Sequence, residues 1–225
     1  MRLAPVLASV LALVLLPSLT RACDLALMLA VDVSGSVDRD EYRIQMGGLA
    51  EALRDGIVAD ALVSQQAQVG LVQWTGASRQ RQTIPWTAMR THADVLQFAE
   101  RVDTDERIWR NYSTAIGEAV AVSRAAFAQV PQCGRRVIDV SGDGVSNEGV
   151  EPGAQRAGLV ADGIILNALA IETDQTDLTG YFFENLISGP GAFVVTANGF
   201  ADYPAQIKRK LQRETTKQAV SLQQR

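Results

Sequence analysis

The sequence predicts an α/β domain built on a doubly wound, mostly parallel sheet of the Rossmann-like kind, with one short antiparallel edge strand. Three observations lead there. Short apolar runs bounded by turn residues alternate with stretches whose apolar residues recur at helical spacing. The apolar runs are nearly continuous, as strands covered on both faces require. No repeat or low-complexity block interrupts the alternation, so the 225 residues read as one domain plus short terminal segments.

The elements follow in order. Asp24–Val31 is a buried strand, Leu-Ala-Leu-Met-Leu-Ala-Val after its aspartate, and it ends at Asp32. Asp40–Leu53 places Tyr42, Met46, Leu49 and Leu53 on one helical face, and Gly47-Gly48 within it would allow close packing on a sheet. Gln68–Trp74 is the second strand, and Gln80–Pro85 is read as a short edge strand. Ala93–Val102 and Thr114–Val130 are helices by the spacing of Val95, Phe98 and Val102 and of Ile116, Val120, Phe127 and Val130. Arg135–Ser141 is a strand closed by Gly142-Asp143-Gly144. Then come helix Glu151–Ala161, strand Ile164–Ile171, helix Thr176–Ile187, strand Ala192–Thr196 and helix Tyr203–Gln212. The basic residues from Lys208 onward read as a solvated, fraying helix end, and residues 214–225 as a flexible tail after a domain spanning 23–213.

Met1–Ala22 reads as a targeting segment rather than as structure. Arg2 precedes an apolar stretch from Leu3 to Leu16, and Thr20-Arg21-Ala22 offers small residues flanking a cleavage point. The stretch is shorter than the ~20 residues that span a bilayer. The expectation is export to the periplasm or beyond, with a retained anchor as the alternative. The formal net charge of −4 argues against sequence-independent nucleic-acid binding, which needs a basic face. One histidine, His92, and two cysteines cannot build a Cys/His zinc cage.

Asp32-Val-Ser34-Gly-Ser36 carries the chemistry. It follows a buried strand directly, and open parallel sheets bind ligands beyond the carboxyl ends of their strands. Carboxylate and hydroxyl oxygens suit a hard cation such as Mg²⁺, with Mn²⁺ or Ca²⁺ as the alternatives. If the strand ending at Ser141 neighbours the first, Asp143 joins Asp32 at the same rim. Asn111-Tyr-Ser-Thr114 opens a helix and brings the Thr114 hydroxyl, with Ser113 as its competitor. The plainer alternative is that Asp32 and Asp143 only cap helices.

These residues resemble the metal-ion-dependent adhesion site of the von Willebrand factor type A domain family. Asp32, Ser34 and Ser36 match the family's Asp-x-Ser-x-Ser loop. Thr114 matches its second loop, ahead of Ala115-Ile-Gly-Glu-Ala-Val120, and Asp143 matches its third. The likeness runs from Asp24 to about Leu211. With Val72-Gln-Trp-Thr-Gly76 and Ser188-Gly-Pro-Gly-Ala192 it looks most like an exported bacterial branch of uncharacterised function. The resemblance implies a cation that keeps one coordination position for a Glu or Asp of a partner protein, hence a binding module and not a catalyst.

An enzyme reading has less support. Ser34 or Ser36 as a nucleophile lacks an adjacent base, and neither a Gly-x-Ser-x-Gly elbow nor a phosphate-binding loop is present. Metal-assisted phosphoester hydrolysis is the alternative function, and an assembly subunit whose cation only orders loops is another. Trp109, Arg110 and Tyr112 would flank the metal and are residue types favoured at interface centres, although Trp109 could instead pack locally. Asn147 and Glu148 read as solvated loop residues, Trp74 and Trp86 as core, and His92 as surface. Cys23 and Cys133 precede Asp32 and Asp143 by similar distances, so neighbouring strands would bring them within disulfide reach at the opposite sheet edge.

Overall fold

The computed structural model describes residues 23–173 and 177–216. The expected signal Met1–Ala22 and residues 217–225 of the expected tail lie outside the described residues. Six strands form one sheet: β1 (Leu25–Asp32), β2 (Gln68–Trp74), β3 (Gln80–Ala88), β4 (Arg135–Gly142), β5 (Ile164–Ile171) and β6 (Val194–Ala197). Their spatial order is β3-β2-β1-β4-β5-β6, parallel throughout except for the antiparallel β2–β3 pair. The helices are α1 (Arg39–Arg54), α2 (Gly56–Ser64), α3 (His92–Asp103), α4 (Ile116–Ala126), α5 (Arg156–Ala161), α6 (Leu178–Asn185) and α7 (Tyr203–Thr216).

Strand β1 divides its side chains between two cores, as the two-residue period of a strand requires. Leu25, Leu27, Leu29 and Val31 pack with Leu49 of α1, Leu62 of α2, Phe98 of α3 and Leu211 of α7. Ala26, Met28 and Ala30 face the other way, onto Val120 of α4, Leu159 of α5 and Phe182 of α6. Helices therefore cover both sheet faces, and the expected fold class holds.

Local chemistry sets the ends of the elements. Asp38 caps α1 by accepting from the backbone N–H groups of Asp40 and Glu41, while the Glu41 carboxylate accepts from the N–H of Asp38. Thr91 and Asp94 form the same reciprocal cap on α3. Strand β3 runs to Ala88, beyond the expected end at Pro85. The ladder with β2 is irregular on both sides of Leu71, which pairs with Ile84 next to this proline without an N–H. Helix α2 is absent from the sequence expectation. Its apolar residues surround the helix rather than marking one face, and only Val58, Ala59 and Leu62 are buried.

Two expectations are corrected. Gly48 does not serve contact with the sheet: a Cβ there would lie 3.0 Å from Pro204, so it admits α7 instead. The basic end of α7 is not a solvated, fraying terminus. The helix continues to Thr216, and Lys210, Glu214 and Thr215 are buried, so the flexible segment cannot begin at 214. Hydrophobic spacing alone could not reveal this, because two of those side chains are charged.

From β1 the chain winds outward to β2 and β3, then returns to the other side of β1 for β4, β5 and β6. The direction reverses between β1 and β4, which leaves a crevice beyond their carboxyl ends. Val31 pairs with Ser141, so Asp32 and Asp143 emerge side by side there. At the opposite edge Cys23 and Cys133 form the expected disulfide, with their Cα atoms 4.6 Å apart.

Candidate metal centre

Asp32 is fully buried at the end of β1. Its Oδ1 accepts a 2.7 Å hydrogen bond from the backbone N–H of Ser34, which turns the chain sharply after the strand. Its Oδ2 has no hydrogen-bond partner among the described residues. Gly142 makes room for that carboxylate: a Cβ at 142 would lie 2.9 Å from Oδ2. The Ser34 and Ser36 hydroxyls are 3.2 Å apart, and Ser36 donates to Asp143 Oδ1 at 2.6 Å. Thus four of the expected ligands share one continuous patch of oxygen atoms.

Thr114 is buried, and its Oγ1 comes within 3.8 Å of a Cβ built on Gly144, beside Asp143. Ser113 is exposed, and its carbonyl is taken by the Thr75 hydroxyl at 2.9 Å. Asn147 and Glu148 do more than the solvated loop expected of them. The Asn147 side chain accepts from Thr114 N–H at 2.9 Å, its own N–H donates to the Thr114 carbonyl, and Glu148 accepts from Ala77 N–H. They fix the Thr114 loop against the Asp143 loop. Ser36, Thr114 and Asp143 line an open depression of about 280 Å³.

Burial, then the neighbouring Asp143 charge, pushes the Asp32 carboxyl up to about 8. Burial likewise raises Asp143. Two carboxylates held together away from water resist joint ionisation unless a cation is shared between them. The nearby guanidinium of Arg107 is engaged elsewhere: it donates to the carbonyls of Val33 and Ser34 at 2.9 and 2.8 Å. The unpartnered Asp32 Oδ2, the space kept by Gly142 and the all-oxygen donor set fit a hard divalent cation. Among the described residues there is no cluster of three or more His, Cys, Asp or Glu, so serine and threonine hydroxyls must complete any ligand set.

Two supports escape a reading of the sequence. Gln45 of α1 donates to the Asp32 carbonyl at 3.0 Å and accepts from Ser141. Gln73 of β2 donates to Tyr42, Asp105 and the Glu106 carbonyl, and accepts from Ile108 N–H. It thereby positions the segment carrying Arg107. The only signal for either glutamine is a polar residue at a core position of its helix or strand.

Of the flanking residues, Trp109 is half-buried against the core beneath Arg81, which lies 5.6 Å above its ring. Arg110 and Tyr112 are exposed, and the Arg79 guanidinium stacks 3.6 Å over Tyr112. Trp74 is core as expected. Trp86 is only half-buried, with its N–H donated to the Ala126 carbonyl. His92 is exposed beside Asp60, remote from the site.

Comparison with known proteins agrees with this architecture. No curated protein matches the sequence. The mussel byssus proximal thread matrix protein 1, in a structure with a zinc-occupied MIDAS motif, is similar in fold. Its TM-score is 0.64 at 19% identity, over 84% of this chain and 48% of that one. The pilus adhesin SpaC of Lactobacillus rhamnosus GG gives 0.65 at 12% identity, over 87% of this chain and 31% of that one. A von Willebrand factor type A protein of Catenulispora acidiphila gives 0.57 at 16% identity, over 87% and 42%. This chain thus spans half or less of each of these structures. A family model described as "Protein of unknown function (DUF1194)" matches residues 22–219. The chain belongs to the DUF1194 family, and its fold is that of a von Willebrand factor type A domain.

Proposed function

We propose that this protein is an exported protein-binding module whose rim holds a divalent cation. Asp32, Ser34, Ser36, Thr114 and Asp143 are the ligands, some through water, and the cation takes a Glu or Asp side chain of a partner. The carrying observation is the buried, unpartnered Asp32 Oδ2 beside Asp143 at the strand switch point. Oxygen donors favour Mg²⁺, with Mn²⁺ or Ca²⁺ able to substitute. The neighbour with zinc in its motif supports a divalent metal in this fold. The open depression supports access for a side chain, and exposed Arg110 with the Arg79–Tyr112 stack supports an acidic segment at its edge.

Export rests on the Met1–Ala22 pattern and is supported by the Cys23–Cys133 disulfide, since such bonds persist in oxidising compartments. Among the described residues no helix is long and apolar enough to cross a membrane. Binding is preferred to catalysis because the one histidine pairs with Asp60 away from the rim, and the neighbouring arginine is bound to carbonyls.

Calorimetric titration of chelator-treated protein with Mg²⁺ and Mn²⁺ tests the proposal, beside an Asp32→Ala/Asp143→Ala variant. One-to-one binding by the wild type alone, tightened by added free carboxylate, is expected. No binding with or without carboxylate would reduce the loops to helix caps. Phosphatase activity that is lost in Asp32→Ala would move the protein to the hydrolase class.

A further inference from the structure

A second constellation lies under the sheet, away from the rim. Asp139 on β4, Lys210 and Glu214 on α7 and Asn167 on β5 are each buried, and Asp139 and Asn167 are paired neighbours on adjacent strands. Lys210 Nζ is in direct contact with Asp139 Oδ1 and lies 2.9 Å from Glu214 Oε1. Asn167 fixes Glu214 with a 2.7 Å hydrogen bond from its side-chain amide to the same Oε1, and its side-chain Oδ1 accepts from Phe193 N–H. The Phe193 ring closes over Lys210, 5.7 Å from Nζ.

The geometry points to an intramolecular amide between Lys210 Nζ and Asp139 Cγ, formed with Glu214 as the proton carrier, which staples α7 to β4. A rigid central strand and a packed helix hold amine and carboxyl together without water, the condition under which proximity accelerates a bimolecular step most. No other described side chain or backbone N–H donates to Asp139, apart from its contacts with Lys210 and Glu214. Burial, then the Glu214 charge, pushes its carboxyl up to about 8 against the pull of Lys210. Burial alone would lower Lys210, but Asp139 and Glu214 together outweigh it and raise the group, so it starts as the ammonium. Passing one proton to the Asp139 carboxylate then leaves an uncharged amine beside an uncharged acid, a pair that a dry interior can hold.

The step is a condensation. The Nζ–Cγ bond forms and one Cγ–O bond of Asp139 breaks. Of the three ammonium hydrogens, one stays on the amide nitrogen. The other two reach the departing oxygen, one of them through Glu214, and it leaves as water. No oxidant or external reactant is needed. Glu214 touches the reacting nitrogen and suits general acid–base transfer. The product also removes the desolvation cost of a permanently buried ion pair.

Tryptic mass spectrometry of the intact, folded protein after denaturation, reduction and alkylation tests this. The expected result is one species in which peptide 137–156 is joined to peptide 210–213 through Lys210, with no cleavage after Lys210 and a mass one water below the sum of the two. Glu214→Gln, checked for folding by circular dichroism, should return both peptides unlinked. Free peptides in the wild type, or a water loss mapped instead to Asp143-Gly144, would overturn the amide. A link that persists undiminished in Glu214→Gln would overturn the role of Glu214.

Discussion

Replacing both cysteines by alanine isolates the energetic role of the disulfide. The Cys23–Cys133 bond closes a loop with a sequence separation of 110. The chain-entropy treatment assigns about 4.7 kcal/mol to a loop of ~100 residues. The native pairing around the bond does not depend on it. Gly134 N–H donates to the Cys23 carbonyl, Arg135 N–H to that of Asp24, and Asp24 N–H to that of Gln65. The loss therefore falls on the unfolded chain. The Lys210–Asp139 staple does not reduce it, because the two loops do not overlap along the sequence. Guanidinium unfolding of Cys23→Ala/Cys133→Ala, beside wild type with and without reductant, gives the measurement. Reduced wild type keeps both buried sulfur atoms, so it separates the cross-link from packing. Both samples should lose about 4–5 kcal/mol, within the range seen for small exported domains. If both stay within about 1 kcal/mol of the oxidised protein, the unfolded-state argument fails.

Three further outcomes are expected. Gly142→Ala should abolish Mg²⁺ binding in calorimetry while keeping the native circular dichroism spectrum, because its Cβ would lie 2.9 Å from Asp32 Oδ2 and 3.4 Å from the Trp74 ring. Chelator-treated protein should lose stability as pH rises. Unfolded Asp32 ionises near ~3.9, and burial lifts the folded group to about 8. The folded state thus binds the extra proton between those values, and Asp32 alone contributes a slope of at most about −1.4 kcal/mol per pH unit, to which the likewise raised Asp143 adds in the same direction. Saturating Mg²⁺ should flatten that slope in denaturant titrations, and a metal-free profile that rises with pH would contradict the assignment. Arg107→Lys should weaken Mg²⁺ binding nearly as much as Arg107→Ala in the same calorimetry. One ammonium cannot reproduce the guanidinium fork that reaches the Val33, Ser34 and Asp38 carbonyls.

The parts legible in the sequence are those written in apolar runs and spacing. The bounds of β2 and β5 match the expectation, and the Asp-x-Ser-x-Ser loop stands where a buried strand must end. Similar spacing from the rim aspartates located the disulfide, because parallel neighbours advance in register. Helix α2 was not legible, since Ile57 and Val63 make its apolar residues run around the helix while Ile57 stays 55% exposed. The buried charges of α7 were not legible either. Lysine and glutamate four residues apart look the same on a solvated face as they do when a strand aspartate waits beneath them.

The same blindness hides what makes the rim rigid. Asp32 is placed by its strand and its carboxylate is held by Ser34 N–H two residues on, but its main chain and the serine loop are braced by groups far away in sequence. Gln45 holds its carbonyl from α1 and reaches Ser141 on β4, so one amide ties the two strands that carry the aspartates. Gln73 uses both ends of its amide to hold residues 105–108, and Arg107 from that segment grips the carbonyls of the serine loop. Tyr112 then accepts from Gly35 N–H at 2.8 Å, and Thr75 holds the neighbouring Ser113 carbonyl. The serine loop, residues 105–108 and the segment before Thr114 are thereby each bonded to another loop or to a buried amide. The proposed ligands, held this way, would lose little freedom when an ion arrives, so binding energy would not be spent on ordering them. It follows that Gln45 and Gln73, which are not proposed ligands, should govern cation affinity through the orientation of Asp32 and of the serine loop.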